Sequence, residues 1–286
     1  MVTVRMARQE FWLRPSSVIN QIVGYSYGYA QEKYGVLIHQ LTVMSNHVHI
    51  LVTDPTGDRT SEFFSCAHSM IARCLNAHYG TEENRWKVGS FGPVLLGDDD
   101  AVLDKMVYSM INPVTAGLVS KAEHWPGWDT TEADFGTPKT CLRPSVFFRD
   151  VMPETVQLTM TVPPRFARNP AKFVKRVRTR RRALQTERRK EFRAAGRTFL
   201  GAKAVCRTSP RTRPKSASLP SPRSELNPRI ACSDLEHRKT MIAQLRRFYD
   251  AYEYARRQLL AGKRAVAFPA GTVWLRLYAN VACQPP

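Results

Sequence analysis

The chain has 286 residues, 43% of them hydrophobic, and a formal net charge of +19. That apolar content supports a sizeable core and excludes disorder over the whole length. No run approaches the roughly 18 apolar residues of a membrane helix, and the N-terminal MVTVRMARQEFW lacks the apolar centre of an export signal.

In chain order, Arg8–Leu13 is expected to form a short strand. Pro15 and Ser16 open a helix to about Tyr34, and Gly35 stops it. The β-branched runs Val36–Met44 and Asn46–Asp54 are expected to pair as a hairpin across Ser45-Asn46. Phe64, Met70, Ile71 and Leu75 recur at helical spacing within a helix from about Ser61 to Tyr79. A short apolar run, Val94–Leu96, precedes a helix from about Ala101 to Ile111, whose start is capped by Asp98–Asp100 and whose end is set by Pro113. The order strand, helix, strand, strand, helix, short strand, helix predicts an α+β fold: a ferredoxin-like, split βαβ antiparallel sheet with one added helix.

Charge divides the chain. Residues 1–160 hold 13 Lys and Arg against 17 Asp and Glu; residues 161–286 hold 30 against 7. Such asymmetry points to a polyanion partner, most commonly nucleic acid. Residues 137–168 are expected to link a first domain, 1–136, to a basic, mainly helical C-terminal extension, 169–286. Asn169-Pro170 begins a basic helix to about Ala195, stopped by Gly196. The Pro/Ser/Arg-rich stretch 207–229 reads as an exposed linker. Ser233–Glu236 fits a capping box for a helix to about Ala261, and the remaining residues read as two short strands about a Pro-Ala-Gly turn. Six scattered cysteines contain no CxxC pair, which argues against a zinc ribbon and for reduced thiols in a cytoplasmic protein.

Two features carry chemistry. His47 and His49, two apart on a strand, place both imidazoles on one face, where they can share a metal ion. Taken alone, the pair equally fits hydrogen-bonded strand histidines. Tyr108 and Asn112, four apart on a helix, also share a face, so a phenol and an amide oxygen face one site. Taken alone, such a tyrosine is usually a packing residue. His39, His68, His78, His124 and His237 read as structural or exposed.

Together, VMSNHVHILV (43–52), YSMINPVTAGLV (108–119) and the trailing HWPGW (124–128) resemble the motifs of the REP-associated tyrosine transposases, of the HUH single-strand insertion-sequence superfamily. The resemblance covers roughly residues 1–130. It implies a ferredoxin-like catalytic domain with an added catalytic helix, His47 and His49 as metal ligands, Asn112 as the third, polar ligand, and Tyr108 as nucleophile. It further implies single-stranded or hairpin DNA as partner and a nucleoid-associated, cytoplasmic location. Nitrogen and amide-oxygen ligation suits Mg2+ or Mn2+. Thr115 stands where many relatives have arginine, so one basic contact is missing. The relatives include both homodimers and monomers. A domesticated, non-catalytic hairpin-DNA binder or repressor is the alternative.

The extension is not inherited from short relatives. Lys175, Arg176, Arg178, Arg180, Arg181 and Arg182 are expected to contact DNA phosphates, which gives affinity rather than sequence choice. Tyr249, Tyr252 and Tyr254, among Arg246, Arg247, Arg256 and Arg257, are read as the packing face of an amphipathic helix rather than a base-stacking platform.

Overall fold

The computed structural model describes residues 1–146, 150–214 and 229–284. Its centre is a four-stranded antiparallel sheet in the order β2-β3-β1-β4, with β1 Val2–Arg5, β2 Leu37–Met44, β3 His47–Thr53 and β4 Gly92–Pro93. Strand β3 inserts between β1 and β2, which α1 (Ser17–Tyr34) connects. The fold is thus α+β with a split βαβ sheet, followed by a helix-rich C-terminal region.

Register assigns the two faces of this sheet. Thr3 lies opposite His49 and Arg5 opposite His47; across the other edge of β3, Thr42 meets His49 and Met44 meets His47. These side chains share one face. Val2, Val4, Val43, Val48 and Ile50 point the other way, into a core with α1 and α2 (Thr60–Tyr79). On the histidine face, Leu51 packs with α3 (Asp99–Met110) through Val102, Leu103, Met106 and Met110, while Met44 packs with Val114, Val119 and Trp125. One face is therefore apolar throughout, and the other carries a polar strip between two small cores.

Local signals position the elements. The Ser16 hydroxyl accepts from Ile19 N to cap α1, and Gly35 ends it in the left-handed region at φ 67°. Asp98 caps α3 by accepting from Ala101 N.

Several expectations are corrected. The first strand is Val2–Arg5, not Arg8–Leu13: Arg8 and Gln9 take positive φ in a turn, and Trp12 and Leu13 are buried by side-chain packing instead. Helix α3 ends at Met110, close to the expected Ile111, but Pro113 is followed by further helix, since it sits in the first turn of α4, Asn112–Thr115, after a break at Ile111. After the short α6 (Ala202–Arg207), the cap of α7 (Leu235–Leu260) is Asp234 rather than Ser233. The C-terminal part forms a helix, α8 Val273–Tyr278, where two strands were expected; of those strands a single bridge, Phe268 to Cys283, is present.

The 137–168 stretch is built into the fold. It holds a hairpin, β6 Lys139–Leu142 and β7 Thr155–Leu158, packed on α1. Gly24 and Gly28 permit the approach: a Cβ on Gly24 would lie 3.0 Å from Cys141 Sγ of β6, and one on Gly28 would lie 2.9 Å from Val156 Cγ2 of β7. Most of the expected exposed linker, residues 215–228, lies outside the described residues. Its first part is docked: Thr212 O accepts from Phe11 N, and Arg213 pairs with Glu10 at 3.1 Å. Strand β5 (Leu95–Leu96) pairs in parallel with β8 (Ile230–Ala231), tying the extension to the sheet domain. Among the described residues no helix is long and apolar enough to cross a membrane.

Helix α5 (Pro170–Ala194) lies along α3. Phe173 and Val177 enter the core beside Met106 and Met110. Arg176 reaches Asp100 at 3.1 Å and Arg180 reaches Asp104 at 2.7 Å. Equal steps of four in the same sense on both helices make them run parallel.

Candidate functional site

The site forms where the polar strip of the sheet meets the junction of α3 and α4. Strand alternation puts His47 and His49 on this strip, with ring centroids 4.7 Å apart. The tyrosine ring of Tyr108 lies 6.1 Å from that of His49, and 49% of Tyr108 is exposed. Asn112 is buried, with Nδ2 2.8 Å from His49 Nε2. All four residues singled out in the motifs therefore meet at one place.

Hydrogen bonds set the histidine tautomers. An amide NH2 only donates and an amide oxygen only accepts. Asn112 Nδ2 therefore donates to His49 Nε2, which leaves the ring hydrogen on Nδ1, 2.8 Å from Thr3 Oγ1. Likewise His47 Nδ1 donates to Asn46 Oδ1 at 2.7 Å, so its Nε2 carries a lone pair. Burial holds both rings neutral. It pushes His47 well below the ordinary imidazole range, aided by His49 and Arg5, and pushes His49 down to about 4, aided by the cationic Arg5 and Lys105. A neutral imidazole with Nδ1 pinned and a lone pair on Nε2 is the ligating form; on His49 that lone pair is taken by Asn112 Nδ2.

The donor set fits a divalent cation in part. Two imidazole nitrogens are present, and a turn of the Asn112 amide would add its oxygen. Among the described residues no group of three His, Cys, Asp or Glu side chains is assembled for a metal. The three donors carry no charge, and Arg5 and Lys105 are cations. Such a site favours an anion directly and a cation chiefly in company with one, as with phosphate.

Beneath the histidines the strip stays polar. Gln40 Nε2 donates to Thr42 Oγ1, and Thr42 donates to Asp129 Oδ1 at 2.5 Å. Burial raises the Asp129 carboxyl well above the usual carboxylate range. Thr3, Asn46, Arg5 and Lys105 were missed in the sequence. Asn46 was visible as the neighbour of His47, and Thr3 as the alternate residue of VTVR.

The six basic residues of α5 separate into two groups. Arg176 and Arg180 are engaged with Asp100 and Asp104. Arg181 departs from the expected exposed position: its side chain is buried and bonded to Glu132 at 2.9 and 3.0 Å and to Glu123 at 2.7 Å, so it is already engaged within the chain. Lys175, Arg178 and Arg182 are exposed and form no ion pair among the described residues. They fall at i, i+3 and i+7, one stripe on the outer face. In α7, Tyr252 packs on Phe268, whereas Tyr249 and Tyr254 are exposed.

No family model matches the sequence, and none of the curated proteins does. A solved structure described as that of the REP associates tyrosine transposase bound to a REP hairpin is similar at a TM-score of 0.37 and 20% identity, over 46% of this chain and 76% of that one. This is a distant resemblance of fold.

Proposed function

We propose that this chain cleaves and rejoins single-stranded DNA, near palindromic repeats, through a covalent 5′-phosphotyrosine link on Tyr108. What supports the reading is the convergence on one site of His47, His49 and Asn112 with a half-exposed Tyr108. The motif resemblance supplies the substrate class and the palindromes.

Each residue has a role that its surroundings allow. Tyr108 stands at the rim, where a DNA strand can reach it. Its phenolic oxygen attacks phosphorus; the Oη–P bond forms as the P–O3′ bond breaks. The phenol proton passes to solvent and the departing 3′-oxygen takes one up. Bond energy is conserved in the ester, so a second 3′-hydroxyl can reverse the step and join a different strand. Arg5 and Lys105 attract the phosphate. His47, His49 and Asn112 would hold a Mg2+ or Mn2+ ion, which supplies Lewis-acid stabilisation of charge on the phosphate. Thr3 and Asn46 hold the two imidazoles in the required tautomer. The outer stripe of α5, Lys175, Arg178 and Arg182, would bind the strand beyond the scissile phosphate.

The decisive experiment is to trap a DNA adduct that depends on Tyr108 and on added metal ion.

A further inference from the structure

Arg8 and Gln9 both take the left-handed backbone, at φ 54° and 57°. Residues with side chains rarely adopt it, and such strain persists only where the surrounding structure holds it. Here the turn is held on two sides. Toward the sheet, Met6 N donates to Asn46 O at 2.8 Å and Leu13 N donates to Ser45 O at 2.9 Å, so residues 6–13 wrap the tip of the β2–β3 hairpin. Toward the extension, Phe11 N donates to Thr212 O at 3.1 Å, Arg14 Nη1 donates to Thr208 O at 3.0 Å, and Arg213 pairs with Glu10 at 3.1 Å. Residues 208–213 follow α6, whose Val205 packs in the same small core as Met44 and Val114.

The strained turn delivers one group to the site. Gln9 O accepts from Asn46 Nδ2 at 3.2 Å. A carbonyl oxygen only accepts, so the NH2 of Asn46 must face Gln9, and its Oδ1 then faces His47 Nδ1 at 2.7 Å. An oxygen in that place keeps the ring hydrogen on Nδ1. An amide turned the other way would offer His47 a donor, and the hydrogen would move to Nε2, where it blocks ligation. The Gln9 side chain makes no hydrogen bond among the described residues, so its part in this is played by the backbone.

From this chain of contacts we infer that the Arg8-Gln9 turn is a positioning element for His47: clamped between the hairpin and residues 208–213 of the extension, it holds the Gln9 carbonyl where that group orients Asn46 and so fixes the tautomer that can bind a metal ion. The inference rests on the reading of His47 as a metal ligand. His49 is set separately, by Thr3 and Asn112.

The test uses the full chain labelled with 15N at histidine. NMR at pH 7.5 without metal reads the tautomers of His47 and His49, and Mn2+ Kd is measured by electron paramagnetic resonance with a single-stranded oligonucleotide spanning the palindromes beside its gene. Gln9→Gly accepts a positive φ freely, and Gln9→Val, β-branched, resists it. Arg213→Glu sets like charges against each other across the clamp and serves if Gln9→Val does not fold. The expected result is a hydrogen on Nδ1 of both histidines in the wild type and in Gln9→Gly. In Gln9→Val and Arg213→Glu, His47 alone shifts toward the Nε2 hydrogen, and Mn2+ binding weakens by about 10-fold. His47 keeping its Nδ1 hydrogen in either of these variants, once folded, overturns the inference and leaves the ligand reading standing. A shift in Gln9→Gly overturns it because the side chain is then what matters, and His49 shifting together with His47 overturns it because the effect is then a general loosening. A wild type that binds no Mn2+, even with the oligonucleotide, overturns the ligand reading and the inference with it.

Discussion

Asn112 Nδ2 lies 2.8 Å from His49 Nε2, so the first residue of α4 touches the central strand of the sheet at the atom a metal ion would use. The contact depends on the break at Ile111, which turns the chain between α3 and α4 and carries Asn112 inward while Tyr108 stays at the rim.

The uncharged donor set predicts that metal and DNA bind together. Mn2+ alone binds the chain weakly, and a single-stranded oligonucleotide tightens it, since coupling between two ligands is reciprocal. His47→Ala and His49→Ala abolish the tightening. Thr3→Val, which frees His49 Nδ1, weakens Mn2+ by about 10-fold or more. Mn2+ titration followed by electron paramagnetic resonance, with and without oligonucleotide, checks this; equal affinity in wild type and Thr3→Val contradicts it.

Arg181 is a docking residue. Arg181→Met leaves Glu132, whose side chain is 7% exposed, without its partner. Breaking one side of a buried pair costs about 3–5 kcal/mol. Urea unfolding measures that loss. A variant as stable as the wild type but deficient in DNA binding restores the phosphate-contact role.

The outer stripe predicts the salt dependence. Arg178→Gln and Arg182→Gln each reduce the slope of log K against log salt by about 1, with little effect on stability. Arg176→Gln and Arg180→Gln, at residues already paired with Asp100 and Asp104, change the slope less. Affinity measured across a salt series separates the two groups; identical slope changes for all four contradict the assignment.

Two further histidines make the fold acid-sensitive. Burial pushes His39 down to about 4 and His68 down to about 3, from an ordinary value of 6.5. His39 donates to Thr161 O at 2.8 Å, and His68 Nε2 meets Tyr27 Oη at 3.0 Å. Below pH 6.5 the unfolded chain takes up protons that the folded chain refuses. Stability is therefore complete above that pH and falls as pH drops toward 4. Urea midpoints from pH 7.5 to 5 follow it. His39→Gln with His68→Gln flattens the slope, leaving what His47 and His49 contribute; a wild-type midpoint constant over this range contradicts the account.

Much of this was legible in the residues. The β2–β3 hairpin and α1, α2, α3 and α5 followed from period and caps, because each period matches the face that is buried. That His47 and His49 share a face followed from their i, i+2 spacing on a strand, whereas Tyr108 and Asn112 reach the same place from two helices, α3 and α4, across the break at Ile111, which i, i+4 spacing did not show. What was not legible depended on contacts distant in sequence. Arg8–Leu13 is bulky because it packs on Arg85 and Tyr79, not because it is extended. Arg181 looked like its basic neighbours, although it continues the stripe of Phe173 and Val177 at steps of four. Thr3 acquires its role only when β1 pairs with β3.

The most direct measurement is a denaturing gel of the chain with single-stranded oligonucleotides spanning the palindromes beside its gene. It is run with Mg2+ or Mn2+ and with chelator, for wild type and Tyr108→Phe. The account predicts a covalent protein–DNA species that needs both metal and Tyr108, while Tyr108→Phe still binds the oligonucleotide. An adduct that persists in Tyr108→Phe, or binding by the wild type with no adduct on either strand and with either metal, contradicts it.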